Sequence, residues 1–400
     1  MLVGFTFTNF MSFFEESVFS MMASSDTAFQ HFNVLKTSKC KLLKNALIFG
    51  ANSSGKSNFI SAIACMRKIV LADHSNQSKL INDINIFKLY EPAHQKPTSF
   101  EIRFIVKDLM YEYGFEILKG EIAKEYLRRK DKRFTYIFNR TSPNNKDIEI
   151  NKELQNIQHL IDSTRRDNLF LYWLSGGNIE IAMLVYDWFN NLIILGLENE
   201  KDKSHDYHYR ATADYIIKNE EGKNNILKLL QKVDINILDI EIVKDNPYEA
   251  IELLTKHQSF NINWHKNKTI ETKINFESLG TRKLLELSGP IIKALENGYV
   301  IFIDEIDSRL HPLLEKLLIM LFNTTNDNPH NAQLICNTHN VQLLDEDIRR
   351  DQVYFTEKDE KGRSKIYSLA DFKGVRKESK LLRRYLLGAF GATPKIKDHL

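Results

Sequence analysis

Gly50-Ala51-Asn52-Ser53-Ser54-Gly55-Lys56-Ser57 is the stretch that decides how this 400-residue chain is read. A short apolar run, Asn45–Phe49, precedes it, and Phe59, Ile63, Met66 and Val70 follow at helical spacing. The order is strand, Gly/Ser loop, helix, which is the setting in which G-x4-G-K-S cradles phosphate. Backbone N–H groups of such a loop wrap the phosphate oxygens, and the helix N-terminus adds a favourable dipole. Lys56 is placed to reach the β- and γ-phosphates, and the Ser57 hydroxyl to ligate Mg²⁺. Gly50, Asn52, Ser53, Ser54, Gly55 and Asn58 complete the expected nucleotide-binding set. The alternative is a ligand-free Gly/Ser turn between a strand and a helix.

A second stretch supports the phosphate reading. Tyr299-Val300-Ile301-Phe302-Ile303 is apolar and ends in two acids, Asp304 and Glu305. Carboxylates at the edge of a core are costly unless they have work or partners. Asp304 in the Mg²⁺ shell and Glu305 polarising an attacking water would supply both. An apolar run followed by Asp-Glu is a weak motif alone; about 250 residues after a phosphate loop it becomes a strong one. Glu277-Ser278-Leu279-Gly280-Thr281-Arg282 opens a helix that runs into that strand. Ser278 there is either an N-cap or a ligand contact. Thr338-His339-Asn340 follows the short apolar run Gln333–Cys336, where His339 is either structural or a phosphate sensor.

Working outward, the hydrophobic share is 43%, the charged share 27%, and there are 25 Phe, enough for a large core. This excludes wholesale disorder and fibrous classes. Lys+Arg 55 against Asp+Glu 52 gives a formal charge of +3, which does not mark a bulk polyanion binder. Basic clusters are local: Arg128, Arg129, Lys130, Lys132 and Arg133, and nine Lys/Arg against two acids over 361–384. Cys40, Cys65 and Cys336 are too far apart for a disulfide framework or structural zinc, and a reducing cytoplasm fits them. The opening aromatics lack the basic start of a signal peptide, and no apolar run is long enough to span a bilayer.

Phe5, Phe7, Val18 and Phe19 read as early strands, and 99–118 alternates as a hairpin. From about 150 to 232 the pattern is mostly helical, with 198–224 a highly charged loop or helix tip. Ile235–Val243 and Phe260–Trp264 read as strands. From 276 the chain reads as α/β, with helices over Thr281–Leu295 and from Pro312. Sustained heptads are absent, which argues against a long coiled coil. Three segments result: 1–120 with the phosphate loop, a mainly helical 121–265, and 266–400 with the remaining motifs.

The order Gly50–Ser57, Ser278–Thr281, Ile301–Glu305, Asp307-Ser308-Arg309-Leu310-His311-Pro312 and Thr338-His339 resembles the ABC-type ATPase heads of the SMC, RecF and OLD group. More narrowly, it is similar to stand-alone bacterial AAA-family ATPases of the RloA, abortive-infection and PARIS kind. Thr8-Asn9-Phe10-Met11-Ser12-Phe13 resembles the group's opening strand. Tyr367–Phe372, Val375-Arg376-Lys377, Tyr385–Gly388 and Gly391-Ala392 resemble the narrower set.

The resemblance implies an α/β fold: an ABC-type P-loop NTPase head with a mixed sheet, an N-terminal antiparallel part and a helical insertion. It implies ATP and Mg²⁺ as cofactors, Glu305 and His339 as catalytic residues, and Ser57 and Asp304 at the metal. Ser278, Gly280, Thr281 and Asp307 would contact nucleotide held by a facing subunit, in a homo-dimer or higher homo-multimer. A bacterial anti-phage sensor or scaffold is implied, triggered by DNA or a phage protein, without a membrane. The alternative is a DNA-repair or recombination ATPase that binds DNA directly. Only 61 residues, 340–400, follow His339, too few for a nuclease domain of about 100 residues, so an effector is expected on a separate chain. Three departures stand out. The signature lacks the glycine pair of LSGGQ and ends in Thr281, Met11 occupies a position that is basic in many SMC relatives, and Gln95 is the nearest Q-loop candidate.

Overall fold

The run Asn45–Phe49 is a fully buried strand of a six-stranded sheet, in keeping with its apolar sequence. The computed structural model describes residues 1–197, 207–233, 235–243, 252–375 and 380–394. Across this sheet the order is Ile193–Leu195, Val300–Ile303, Gln333–Asn337, Asn45–Phe49, Val353–Lys358 and Ser364–Ser368. Every neighbouring pair is parallel except the last. Side chains alternate between the two faces of a strand. Ala46, Ile48, Val300 and Phe302 therefore join one hydrophobic cluster, and Leu47, Phe49, Ile301 and Ile303 the other.

The first face is covered by the helix Lys56–Leu71, through Phe59, Ile60, Ile63 and Met66. Beyond that helix lies a seven-stranded antiparallel sheet, in the order Ile148–Ile150, Phe134–Arg140, Glu121–Lys130, Leu109–Leu118, Thr98–Val106, Leu2–Thr8 and Ser17–Ser20. Phe59 joins the layers: its ring lies 5.1 Å from Phe19 on one side and 6.4 Å from Phe302 on the other. A buried aromatic in such a place contributes about 1.5–3 kcal/mol by transfer alone. The hairpin expected over 99–118 is present, turned by Lys107 and Asp108, both at positive φ, which matches the twist of the flanking strands.

The second face is covered by the helices Leu279–Asn297 and Pro312–Asn323. Pro290 lies inside the first of these and supplies no N–H to the Glu286 carbonyl. Thr212 Oγ1, from the helix Tyr207–Lys218, donates to that carbonyl at 3.1 Å and to Leu285 O at 2.8 Å. Among the described residues no helix is long and apolar enough to cross a membrane.

The segment 121–265 is less helical than its sequence suggests. Strands Glu121–Lys130, Phe134–Arg140 and Ile148–Ile150 continue the antiparallel sheet, so a boundary at 120 divides a hairpin. Two of the cations that masked the alternation are paired: Arg128 with Glu112, and Arg129 with Glu153 at 2.7 Å. Among the described residues, helices lie within 158–190 and 207–232, including Glu180–Asn190 and Glu220–Lys232, with the strand Ile193–Leu195 after the first group. Only Phe260 of the expected strand Phe260–Trp264 is in a strand; residues 261–265 turn the hairpin Glu252–Phe260/Lys266–Lys273. Of the charged tract 198–224, residues 198–206 lie outside the described residues, as do Arg376 and Lys377 of the tail.

Candidate functional site

The phosphate loop leaves the central strand where no side chain fits. A Cβ on Gly50 would sit 2.5 Å from the Thr356 carbonyl oxygen. Gly55, at φ 115° and immediately before the helix, would place one 2.6 Å from Ser364 Oγ. Ser364 Oγ donates to Ser54 O and to Ser12 Oγ, and Asn58 Nδ2 donates to Ser12 Oγ at 2.7 Å. Ser54 Oγ pairs with Thr356 Oγ1 at 2.7 Å. The loop is thus tied to three other segments of the chain before any ligand enters.

Lys56 Nζ donates to Gly50 O at 2.8 Å and Ala51 O at 3.2 Å, folding over the loop's own carbonyls. Burial lowers its pKa below the ordinary lysine value, opposed by the nearby carboxylates of Asp307, Glu305 and Asp304. A buried cation facing three acids is the electrostatic core of the site.

One parallel strand and the turn after it deliver those acids, and its neighbour holds them in place. Val300–Ile303 ends at Asp304, whose carboxyl is raised by burial and is hydrogen-bonded to Ser57 and Asn337. Asn337, ending Gln333–Asn337, donates Nδ2 to Asp304 Oδ1, and its Oδ1 accepts from Glu305 N at 2.5 Å. Glu305 has φ 50°, a left-handed backbone uncommon outside glycine and often found at functional turns. Asp307 Oδ2 accepts from His339 N at 3.0 Å, while Asp307 Oδ1 is buried with no partner among the described residues.

A cavity of about 660 Å³ lies between these parts. Asn52, Ser53, Gly55, Lys56, Ser57 and Asn58 line it from the loop, with Glu305, His339 and Lys358 opposite. Gly50, Ser54 and Asp304 stand behind the lining as supports. The donor set fits a magnesium nucleotide. Ser57 and Asp304 offer hard oxygens, Lys56 and the loop N–H groups would hold phosphate, and Mg²⁺ habitually completes its shell with water and phosphate oxygen. Among the described residues no cluster of three or more His, Cys, Asp or Glu forms an all-protein cage.

Ser278, Gly280 and Thr281 do not line this cavity. Ser278 caps the helix Leu279–Asn297, its Oγ accepting from Thr281 N at 3.1 Å. Around it Phe276 and Leu279 are 80% and 54% exposed, so the motif presents apolar surface outward. Gln95 is exposed at the end of the 3₁₀ turn Glu91–Gln95 and does not line the cavity either. Sequence reasoning missed Lys358, Asn337, Ser12 and Ser364. Asn337 had a signal, since it immediately precedes Thr338-His339; the others reach the site only through strand pairing and loop packing.

A phosphate loop on a central parallel strand, separated by the single strand Gln333–Asn337 from a strand ending in Asp-Glu, defines a P-loop domain of the ABC-type ATPase class. Residues 46–345 match the family described as "AAA domain, putative AbiEii toxin, Type IV TA system", and the chain belongs to that family. No curated protein sequence matches it. Among solved structures it is similar to the SMC head domain from Thermotoga maritima, at 16% identity and TM-score 0.43, over 92% of this chain and 98% of that one. The SMC head bound to the C-winged helix domain of ScpA gives 15% and 0.45, over 92% and 97%. The SMC head with coiled coil and joint from Pyrococcus yayanosii gives 11% and 0.40, over 97% and 99%.

Proposed function

We propose that the protein binds ATP with Mg²⁺ in the cavity beside Lys56 and hydrolyses it. The observation that carries this reading is the convergence of Lys56, Ser57, Glu305 and His339, from three adjacent parallel strands, on one opening, with Asp304 hydrogen-bonded to Ser57 behind it. Lys56 would leave the Gly50 carbonyl and neutralise the β- and γ-phosphates, while the loop N–H groups fix their orientation. The metal would offset charge developing on the transferred phosphoryl group. Glu305, held by Asn337 through its own N–H, would orient water for in-line attack, and His339 would sit beside the terminal phosphate.

Ser278, Gly280 and Thr281 would face the nucleotide of a second copy, because Ser278 is exposed, Gly280 and Thr281 are half-buried, and all three lie outside their own cavity. Assembly would then follow the nucleotide state. The family's description, which names a toxin and a type IV TA system, supports a place in an abortive-infection or toxin–antitoxin-like system. In such a bacterial system this chain would be a cytoplasmic sensor or scaffold for a separate effector. The DNA-binding alternative has weaker support, since Arg128 and Arg129 are paired with Glu112 and Glu153.

Calorimetric titration of ATP·Mg²⁺ into wild type and Lys56→Ala tests the reading. Loss of a charge-assisted phosphate contact should weaken binding by about 100-fold or more, equivalent to ~3 kcal/mol. Equal affinity in the two proteins would contradict it.

A further inference from the structure

Glu315 is a fully buried carboxyl on the helix Pro312–Asn323 that the proposed reaction does not use. Helix periodicity alone does not call for an acid there, since its neighbours Leu318, Ile319 and Phe322 are core residues. A buried acid needs partners, and Glu315 has two from one short loop. Thr338 Oγ1 is 2.5 Å from Oε1, and Asn340 Nδ2 donates to Oε2 at 2.7 Å. Thr338 Oγ1 also accepts from Asn340 N at 3.0 Å. The residues on either side of His339 are thus held by one carboxyl, while His339 N itself is held by Asp307.

We propose that Glu315 is the positioning residue of the His339 loop, fixing that loop against the Glu305–Asp307 turn so that His339 faces the nucleotide cavity. The inference rests on the ATP-hydrolysing reading for its catalytic consequence, but not for its geometry. Main-chain position is set by side-chain anchors at Thr338 and Asn340, and both end on the same group. Among the described residues no cation pairs with Glu315. The charged and titratable groups facing it are Asp307, on the turn after the Asp-Glu strand, and the buried thiol of Cys336. Burial pushes the carboxyl up to about 7. In its neutral form one oxygen still accepts from Asn340 while the O–H donates to Thr338, so both anchors survive protonation.

That donor and acceptor pattern is the one a glutamine amide reproduces, and it fixes the experiment. Glu315→Leu and Glu315→Gln are compared with wild type in ATP affinity, kcat at saturating ATP·Mg²⁺, and hydrogen exchange of the backbone over 336–342. Glu315→Leu should keep ATP affinity, lose about tenfold or more in kcat, and exchange faster in that segment alone; Glu315→Gln should stay within about threefold on every readout. Unchanged kcat and exchange in Glu315→Leu would overturn the proposal. So would a parallel loss of ATP affinity, which would place the effect on the phosphate loop. If Glu315→Leu does not fold, Thr338→Val combined with Asn340→Ala removes the same anchors from the loop side, and unchanged exchange there overturns the proposal equally. A wild type that binds ATP but releases no phosphate would end the hydrolysis reading alone, and the exchange measurement would still decide whether Glu315 holds the loop.

Discussion

Asn337 donates its side-chain N–H to the carboxylate of Asp304, tying the end of one parallel strand to the end of its neighbour. Its oxygen at the same time accepts from the N–H of Glu305. One amide therefore sets the direction of the candidate metal ligand and the backbone of the candidate base. An alanine at Asn337 would leave Asp304 short of a donor and the Glu305 N–H without an acceptor. Unsatisfied groups of this kind cost about 1–3 kcal/mol each when buried. Asn337→Ala should lower the urea midpoint and reduce hydrolysis by more than it reduces ATP affinity. Equal losses in binding and turnover would show that the amide supports the whole pocket rather than the acids.

The buried carboxyl of Glu315 makes stability depend on pH in a defined direction. Its folded pKa of about 7 lies above the ordinary value of 4.5. The native state therefore keeps a proton that the unfolded chain releases between those values. Its contribution is complete below pH ~4.5 and is lost as pH rises through ~7. Between pH 6 and pH 8 wild type should lose about 1 kcal/mol that Glu315→Gln does not lose. Urea denaturation of both proteins at the two pH values measures this. A variant with the same pH slope as wild type would assign the slope to other groups.

Much of this architecture was legible because its strongest signals are local. The phosphate loop, the apolar strand ending in Asp304-Glu305 and the hairpin near 100–118 are all contiguous in sequence, and each has its own chemistry. The continuation of the antiparallel sheet past residue 120 was hidden, since Arg128 and Arg129 look like a solvated tract until Glu112 and Glu153 come across from other segments. The tip near Trp264 has strand-forming residues, yet Asn261 closes a turn there with His265. Within the site, the residues that escaped notice act at long range. Lys358 enters because Val353–Lys358 pairs with the strand before the loop, and Ser12 because it meets Asn58 and Ser364 from the far end of the chain. No periodicity announces such meetings.

Ser278 gives a test of whether two subunits share a site. Its present role is an N-cap, worth about 1 kcal/mol. If it also faces a neighbour's ATP, Ser278→Arg should bind nucleotide as an isolated subunit and yet not hydrolyse it. Mixing it with Lys56→Ala should restore part of the activity, because one interface of the mixed dimer keeps both intact halves. A mixture that stays inactive after subunit exchange has been verified by mass would argue for Ser278 as a cap alone. Light scattering separates the cases further: a cap variant still associates on ATP, and an interface variant does not.

In the proposed reaction Lys56 and Glu305 serve one nucleotide in one cavity, the first for binding and the second for hydrolysis. Phosphate release by Glu305→Gln, measured at saturating ATP·Mg²⁺ alongside its ATP affinity, addresses that division of labour most directly. Loss of a positioned general base typically costs about 10²–10⁴-fold in rate. Glu305→Gln should bind ATP within about threefold of wild type, with turnover down by about 100-fold or more. Wild-type turnover in Glu305→Gln would contradict a role for Glu305 in hydrolysis.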